Sequence, residues 1–128
     1  MANELALSLS LRLTKGYLAH SETPEAITVD MTGSVVAGGS IASTTTAVAV
    51  PIGTLTSTTQ NYAYFRNTAV TGTDNILLGT GTGGSFVPLI ELKFKEYAMF
   101  RICSSIATTI TFKSTAGTPV LQYWIAST

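Results

Sequence analysis

The sequence predicts an all-β protein, an antiparallel β-sandwich with jelly-roll-like connectivity, and three observations carry that reading. Apolar residues alternate with polar ones in short runs, threonine and serine take the place that charge normally occupies on a surface, and Gly, Pro, Ser and Thr punctuate the chain between the runs. Nowhere does an apolar i, i+3, i+4, i+7 stripe persist over three turns, as a packed helix requires.

The first run, "LALSLSLRL" (5–13), puts Leu5, Leu7, Leu9, Leu11 and Leu13 on one face and Ala6, Ser8, Ser10 and Arg12 on the other. That is the pattern of a half-buried strand, so a carboxylate in place of Leu9 is expected to prevent folding, and one in place of Ser10 to be tolerated. "TKG" (14–16) is a turn signal, and strand runs follow at "YLAH" (17–20), "AITVDM" (26–31), "SVVAG" (34–38) and "TAVAVPIG" (46–53). The middle, residues 38–59, is rich in small residues and Thr and reads as an extended loop or an arm toward a neighbouring subunit. Strand patterns resume at "NYAYFRN" (61–67), "NILLG" (75–79), "FVPLIELKF" (86–94), "YAMFRICS" (97–104), "TTITFKS" (108–114) and "PVLQYWIA" (119–126). No tandem repeat or linker divides the 128 residues, so one sandwich domain over 1–128 is expected, able to bury roughly two-thirds of its unfolded surface.

Composition narrows the function. Charged residues are 11% of the chain, and seven basic residues balance seven acidic ones. With no basic field there is nothing to draw in a phosphate backbone, so nucleic acid is not expected as a partner. Zero net charge also removes the repulsion that keeps proteins apart, which suits a subunit that works assembled. Cys103 is alone, which excludes an internal disulfide, and no N-x-[ST] sequon occurs. The N-terminal leucines alternate with polar residues and follow no basic n-region, and no apolar run approaches the roughly 18 residues of a membrane span. Synthesis in the cytoplasm and no membrane partner are the expectations.

Residues 79–85, "GTGTGGS", contain the spacing G-x-G-x-x-G in Gly79, Gly81 and Gly84. A dinucleotide site needs this loop to open a helix whose N–H groups meet the pyrophosphate, and an acidic residue about 20 positions on. Here Ile90, Leu92 and Phe94 alternate with Glu91, Lys93 and Lys95, and no Asp or Glu follows Glu96. The loop therefore reads as a turn between two antiparallel strands.

His20 is the one histidine, which rules out a two-histidine metal site, and with Ser21 and Glu22 beside it on an extended chain no triad converges; it reads as a rim residue. Cys103 reads as a small buried hydrophobe, and Asp30 and Asp74 as carboxylates of Asx turns. A pair among the seven acids for glycoside hydrolysis stays open, with nothing to single it out. No catalytic, cofactor-binding or metal-binding residues are assigned, and no enzyme is expected. Tyr62 and Tyr64 share a strand face, and Trp124 lies beside Tyr123; such aromatics pack in sandwiches, form subunit interfaces or stack on sugar rings.

Phe65-Arg66-Asn67 closes an aromatic strand, Asn75, Ile76, Leu77 and Gly79 follow after a loop, and Phe86, Pro88, Leu92 and Lys93 precede Phe100-Arg101. In this layout, from residue 61 to 102, the chain resembles a family of small structural proteins of tailed bacteriophages. "ELALSLSLRLTKG" and "LQYWIAS" at the two ends extend it, and "FKE" (94–96) stands where that family usually has Pro-Gly-Glu. The resemblance implies a virion structural protein without catalytic residues. The expected role is a capsid decoration or cement protein, assembled as a homo-oligomer, with a homotrimer favoured, and located in the virion after synthesis in the host cytoplasm. The alternative is a glycan- or receptor-binding module of a fibre or tail tip, reading host sugar through Tyr62, Tyr64 and Trp124.

Overall fold

In the computed structural model, which describes residues 5–31, 36–53, 55, 62–103 and 110–127, the alternating runs become strands. In chain order these are β1 (Leu5–Leu7), β2 (Leu11–Lys15), β3 (Leu18–Glu22), β4 (Ile27–Val29), β5 (Val36–Ala42), β6 (Val48–Ala49), β7 (Tyr62–Asn67), β8 (Ile76–Thr80), β9 (Val87–Leu92), β10 (Tyr97–Arg101), β11 (Thr111–Ser114) and β12 (Val120–Ala126). Every pairing among them is antiparallel. The protein is all-β and sandwich-like. No helix among the described residues is long and apolar enough to cross a membrane.

Packing divides the chain into two compact units, the described residues before 34 and those from 36 to 127, where the sequence suggests one domain over 1–128. In the second unit, two four-stranded sheets run β10-β7-β12-β5 and β6-β11-β8-β9. Only β8 and β9 are consecutive strands of one sheet; every other connection in this unit crosses to the opposite sheet. Phe65, Leu121 and Ile125 from the first sheet meet Ile76, Leu78, Leu92 and Phe112 from the second, all buried, and Phe65 stacks on Phe100 at 5.7 Å between ring centres. Alternation produces this: in β7 the inward positions Ala63, Phe65 and Asn67 are buried while Tyr62, Tyr64 and Arg66 face out.

The arm or loop expected over residues 38–59 is corrected in its described part. β5 pairs with β12 along its whole length, and Ser43, Ala47, Val50 and Leu55 are buried. Small residues suit a strand closely laid against its neighbour: a Cβ on Gly38 would stand 3.2 Å from the carbonyl oxygen of Tyr123. Residues 54 and 56–59 lie outside the described residues.

The first unit corrects the reading of the leucine face. β1 pairs with β4, and β2 with β3, as a two-stranded ribbon turning at Gly16 and Tyr17, with Ser8–Ser10 interrupting the expected single strand. Leu9, Leu11 and Leu13 are 54, 50 and 47% exposed, and Leu18 and Ile27 are exposed as well. Alternation defines a face but not its cover: Leu5 and Leu7 are partly buried while Leu9, Leu11 and Leu13 stay about half exposed, so the burial that would make Leu9→Asp lethal to folding is not there.

The glycine-rich loop is the turn that the sequence suggests. Gly79 stands opposite Pro88 one residue before the end of β8, and a single 3-10 turn, Gly83–Ser85, leads into β9. A register shift falls between Leu78 and Gly79, where a Cβ on Gly79 would run into the carbonyl oxygen of Val87. Pro88, without an N–H, is accommodated because β9 is an edge strand.

Candidate functional site

The outward positions of the β10-β7-β12-β5 sheet carry most of its aromatic side chains. Pairing places Met99, Tyr64, Trp124 and Gly38 in one row across the four strands, with Tyr97, Arg66, Gln122 and Ser40 in the next and Arg101, Tyr62, Ala126 and Val36 on the other side. Tyr97 is 64% exposed, while Tyr62, Tyr64 and Trp124 are half-buried against their neighbours. Tyr64 and Tyr97 stack at 6.1 Å between ring centres and 29° between planes, and the Arg101 guanidinium lies 5.5 Å from the centre of the Tyr62 ring. These contacts hold the aromatic groups in place at the surface.

Gly38 shapes the face. Its missing side chain leaves room beside the indole, to whose Cδ1 a Cβ would approach within 3.4 Å. A recess of about 350 Å³ results, lined by Gly38, Gly39, Ser40, Tyr64, Gln122, Tyr123 and Trp124. Flat rings, hydroxyls and a carboxamide that both donates and accepts can take an apolar ring face bearing polar substituents. The fold thus brings together Tyr62, Tyr64 and Trp124, the three residues singled out in the sequence. Sequence reasoning missed Tyr97, Met99, Arg66, Arg101 and Gln122. The outward alternation of "YAMFR" (97–101) was a signal for Tyr97, Met99 and Arg101; that β10 lies beside β7 was not readable.

His20 is exposed on β3, its Nε2 3.6 Å from the Glu22 carboxylate, a surface pair. Cys103, expected to be buried, is exposed: Ile102 takes the inward position just after β10 and the next side chain faces out. Asp30 and Asp74 fall in different units. The Asp74 carboxylate accepts a hydrogen bond from the Thr73 hydroxyl at 3.2 Å. Among the described residues no group of three His, Cys, Asp or Glu side chains is placed to hold a metal.

A buried polar residue anchors the end of β7. Asn67 is fully buried; its Nδ2 donates to the carbonyl oxygens of Asp74 (2.9 Å) and Leu92 (3.0 Å), and its Oδ1 accepts from the N–H of Ala69 (3.0 Å). Its own N–H donates to the Glu96 carbonyl at 2.9 Å. The Phe-Arg-Asn step therefore pins two loops to the sheet that bears the aromatic face. No family model, curated protein or solved structure matches the chain.

Proposed function

We propose that this chain is a bacteriophage virion structural protein, a capsid decoration or cement protein that stabilises the particle as a homo-oligomer, with a trimer favoured. The observation that carries the reading is the leucine-bearing ribbon of the first unit. A two-stranded ribbon is marginal in water by itself, and an exposed apolar surface marks a place where another chain belongs. Covering the exposed halves of Leu11, Leu13 and Leu18 on the ribbon, and of Leu9 and Ile27 elsewhere in the first unit, is worth about 1 kcal/mol each. That total is comparable with the ~4–15 kcal/mol that association costs, so one copy of the unit holds a neighbour weakly. Several ribbons in a closed ring hold it well, because after the first contact the others act at high effective concentration. Zero net charge and a hydroxyl-rich surface favour such assembly.

The strand order supports jelly-roll connectivity as the finer description of the second unit: its eight strands, counted from β5, form sheets of order 6-3-8-1 and 2-7-4-5. The proposed partners are further copies of the chain and virion proteins, and the proposed location is the particle, after synthesis in the host cytoplasm.

Light scattering of the purified protein should give a multiple of 13.4 kDa, and addition to capsids lacking it should raise their burst temperature. A monomer that leaves capsids unchanged would refute the reading. A second reading, a glycan- or receptor-binding module of a fibre or tail tip, is favoured by the gathering of Tyr62, Tyr64 and Trp124 on one sheet face. Its mark would be binding to host cells that soluble polysaccharide blocks.

A further inference from the structure

We propose that the outer face of the β10-β7-β12-β5 sheet binds a carboxylated sugar, with the pyranose ring against Trp124 and Tyr64 and the carboxylate on Arg66. The inference rests on the glycan-binding reading and adds to it the charge of the ligand and the residue that selects it.

The ring site follows from the row that Trp124 and Tyr64 share. One face of a pyranose presents C–H groups, which lie favourably on an aromatic surface, while its hydroxyls point outward around the rim. Gln122 and Ser40, in the adjoining row, offer both donors and acceptors at that rim. The recess of about 350 Å³ is of a size for one or two sugar rings.

The acid follows from charge. Among the outward positions of these four strands there are two cations, Arg66 and Arg101, and no carboxylate. Arg66 is exposed and lies directly across from Gln122, diagonal to Trp124 in the neighbouring row. Diagonal neighbours on a sheet are ~7–8 Å apart, a span that an arginine side chain covers. A guanidinium beside a stacked ring meets a ring carboxylate with two parallel N–H···O bonds, a geometry a neutral sugar does not offer. No carboxylate of a described residue forms an ion pair with Arg66. Arg101 sits on β10, two strands from Trp124, and is stacked on Tyr62; it adds to the positive field of the face without reaching the ring.

Trp124 is the chain's one tryptophan, so its fluorescence reports on this face alone. The parent protein is titrated with 3′-sialyllactose and with trigalacturonate, two sources of the same chemistry, and with lactose as the neutral control. Calorimetry follows the same titrations. Saturable changes with one or both acidic sugars, at least tenfold tighter than with lactose, are expected. Arg66→Gln should remove about that factor and leave lactose binding as it was, whereas Arg101→Gln should weaken acidic sugars less. Raising the salt should weaken only the acidic ligands. Equal binding of acidic and neutral sugars, unmoved by Arg66→Gln, would overturn the inference and leave the glycan-binding reading standing. Silence with all three sugars would remove both. If Trp124 emission instead follows protein concentration, and Arg66→Gln changes the oligomer mass, the face is a subunit interface and the inference fails.

Discussion

Replacing Asn67 with Ala tests whether the Phe-Arg-Asn step holds the sandwich together. Three hydrogen bonds disappear with the carboxamide. The bond to the Leu92 carbonyl is buried, so that oxygen is left without a partner at a cost of about 1–3 kcal/mol. The Asp74 carbonyl and the Ala69 N–H are partly buried and regain some water, at about 0.5–1.5 kcal/mol each. The total, about 2–6 kcal/mol, is a large share of the ~5–15 kcal/mol that holds a domain folded. For a domain of this size it lowers the melting temperature by about 10–30 °C. Calorimetric melting of parent and variant side by side reads it directly. Asn67→Asp is expected to be worse than Asn67→Ala at neutral pH, because it turns a buried donor facing two carbonyls into an ionised acceptor. Burial and those carbonyls raise the folded-state pKa of the new carboxyl. Stability is then lost as pH rises, and the gap between the two variants should narrow on acidification. If Asn67→Ala melted within a few degrees of the parent, the claim that this residue ties the loops to the sheet would be wrong.

Thr111 is buried and its hydroxyl has no hydrogen-bond partner among the described residues, so Thr111→Val, which keeps the shape, should raise stability by about 1 kcal/mol in denaturant unfolding; a loss of similar size would show that the hydroxyl is partnered. Lys95 holds φ at 63° in the turn closed by the Glu96 N–H on the Lys93 carbonyl, a left-handed conformation that glycine adopts without strain. Lys95→Gly should therefore stabilise by about 0.5 kcal/mol and Lys95→Val destabilise by about 1 kcal/mol, and shifts of the same sign in both would refute the backbone argument. Leu11→Asp should leave the melting of the second unit unchanged, since Leu11 is half exposed; its unfolding would mean that the ribbon's leucines are part of the core.

The strands of the second unit were legible because burial on one side and water on the other imposes a period of two. "YAYFRN" places Phe65 and Asn67 inside and Tyr64 and Arg66 outside without any knowledge of neighbours. The ribbon was misread for the same reason. "LALSLSLRL" has as clean an alternation as any core strand, yet Leu9, Leu11 and Leu13 stay about half exposed, because alternation encodes a face and not what covers it. The middle was misread in the opposite sense. Gly38, Gly39 and Ser40 lack apolar bulk and look like a loop, yet β5 pairs with β12 and Gly38 gives the indole of Trp124 its room. The candidate site was half legible. Tyr62 and Tyr64 share a face by spacing alone, but Trp124 joins them through pairing across some sixty residues, and Arg66 gains its proposed role only once Trp124 is there.

The ribbon and the aromatic face belong to different units, which makes the two functional readings separable by mutation. Leu9→Asp combined with Leu11→Asp puts two charges on the surface proposed to bind neighbouring copies, and should reduce the scattering mass toward 13.4 kDa. Trp124→Ala removes the aromatic platform and should abolish the calorimetric signal with sugars. If the two surfaces act independently, each variant changes one readout and the double construction is additive. A decoration protein with a sugar-reading face satisfies both results at once, since assembly multiplies weak sugar contacts as it multiplies ribbon contacts. If Trp124→Ala lowers the oligomer mass as the leucine variant does, the aromatic face is what the ribbon of a neighbouring copy covers. The exposed leucines and the exposed aromatic residues are then two halves of one interface, and the sugar signal must vanish in the assembled protein while persisting in the leucine variant.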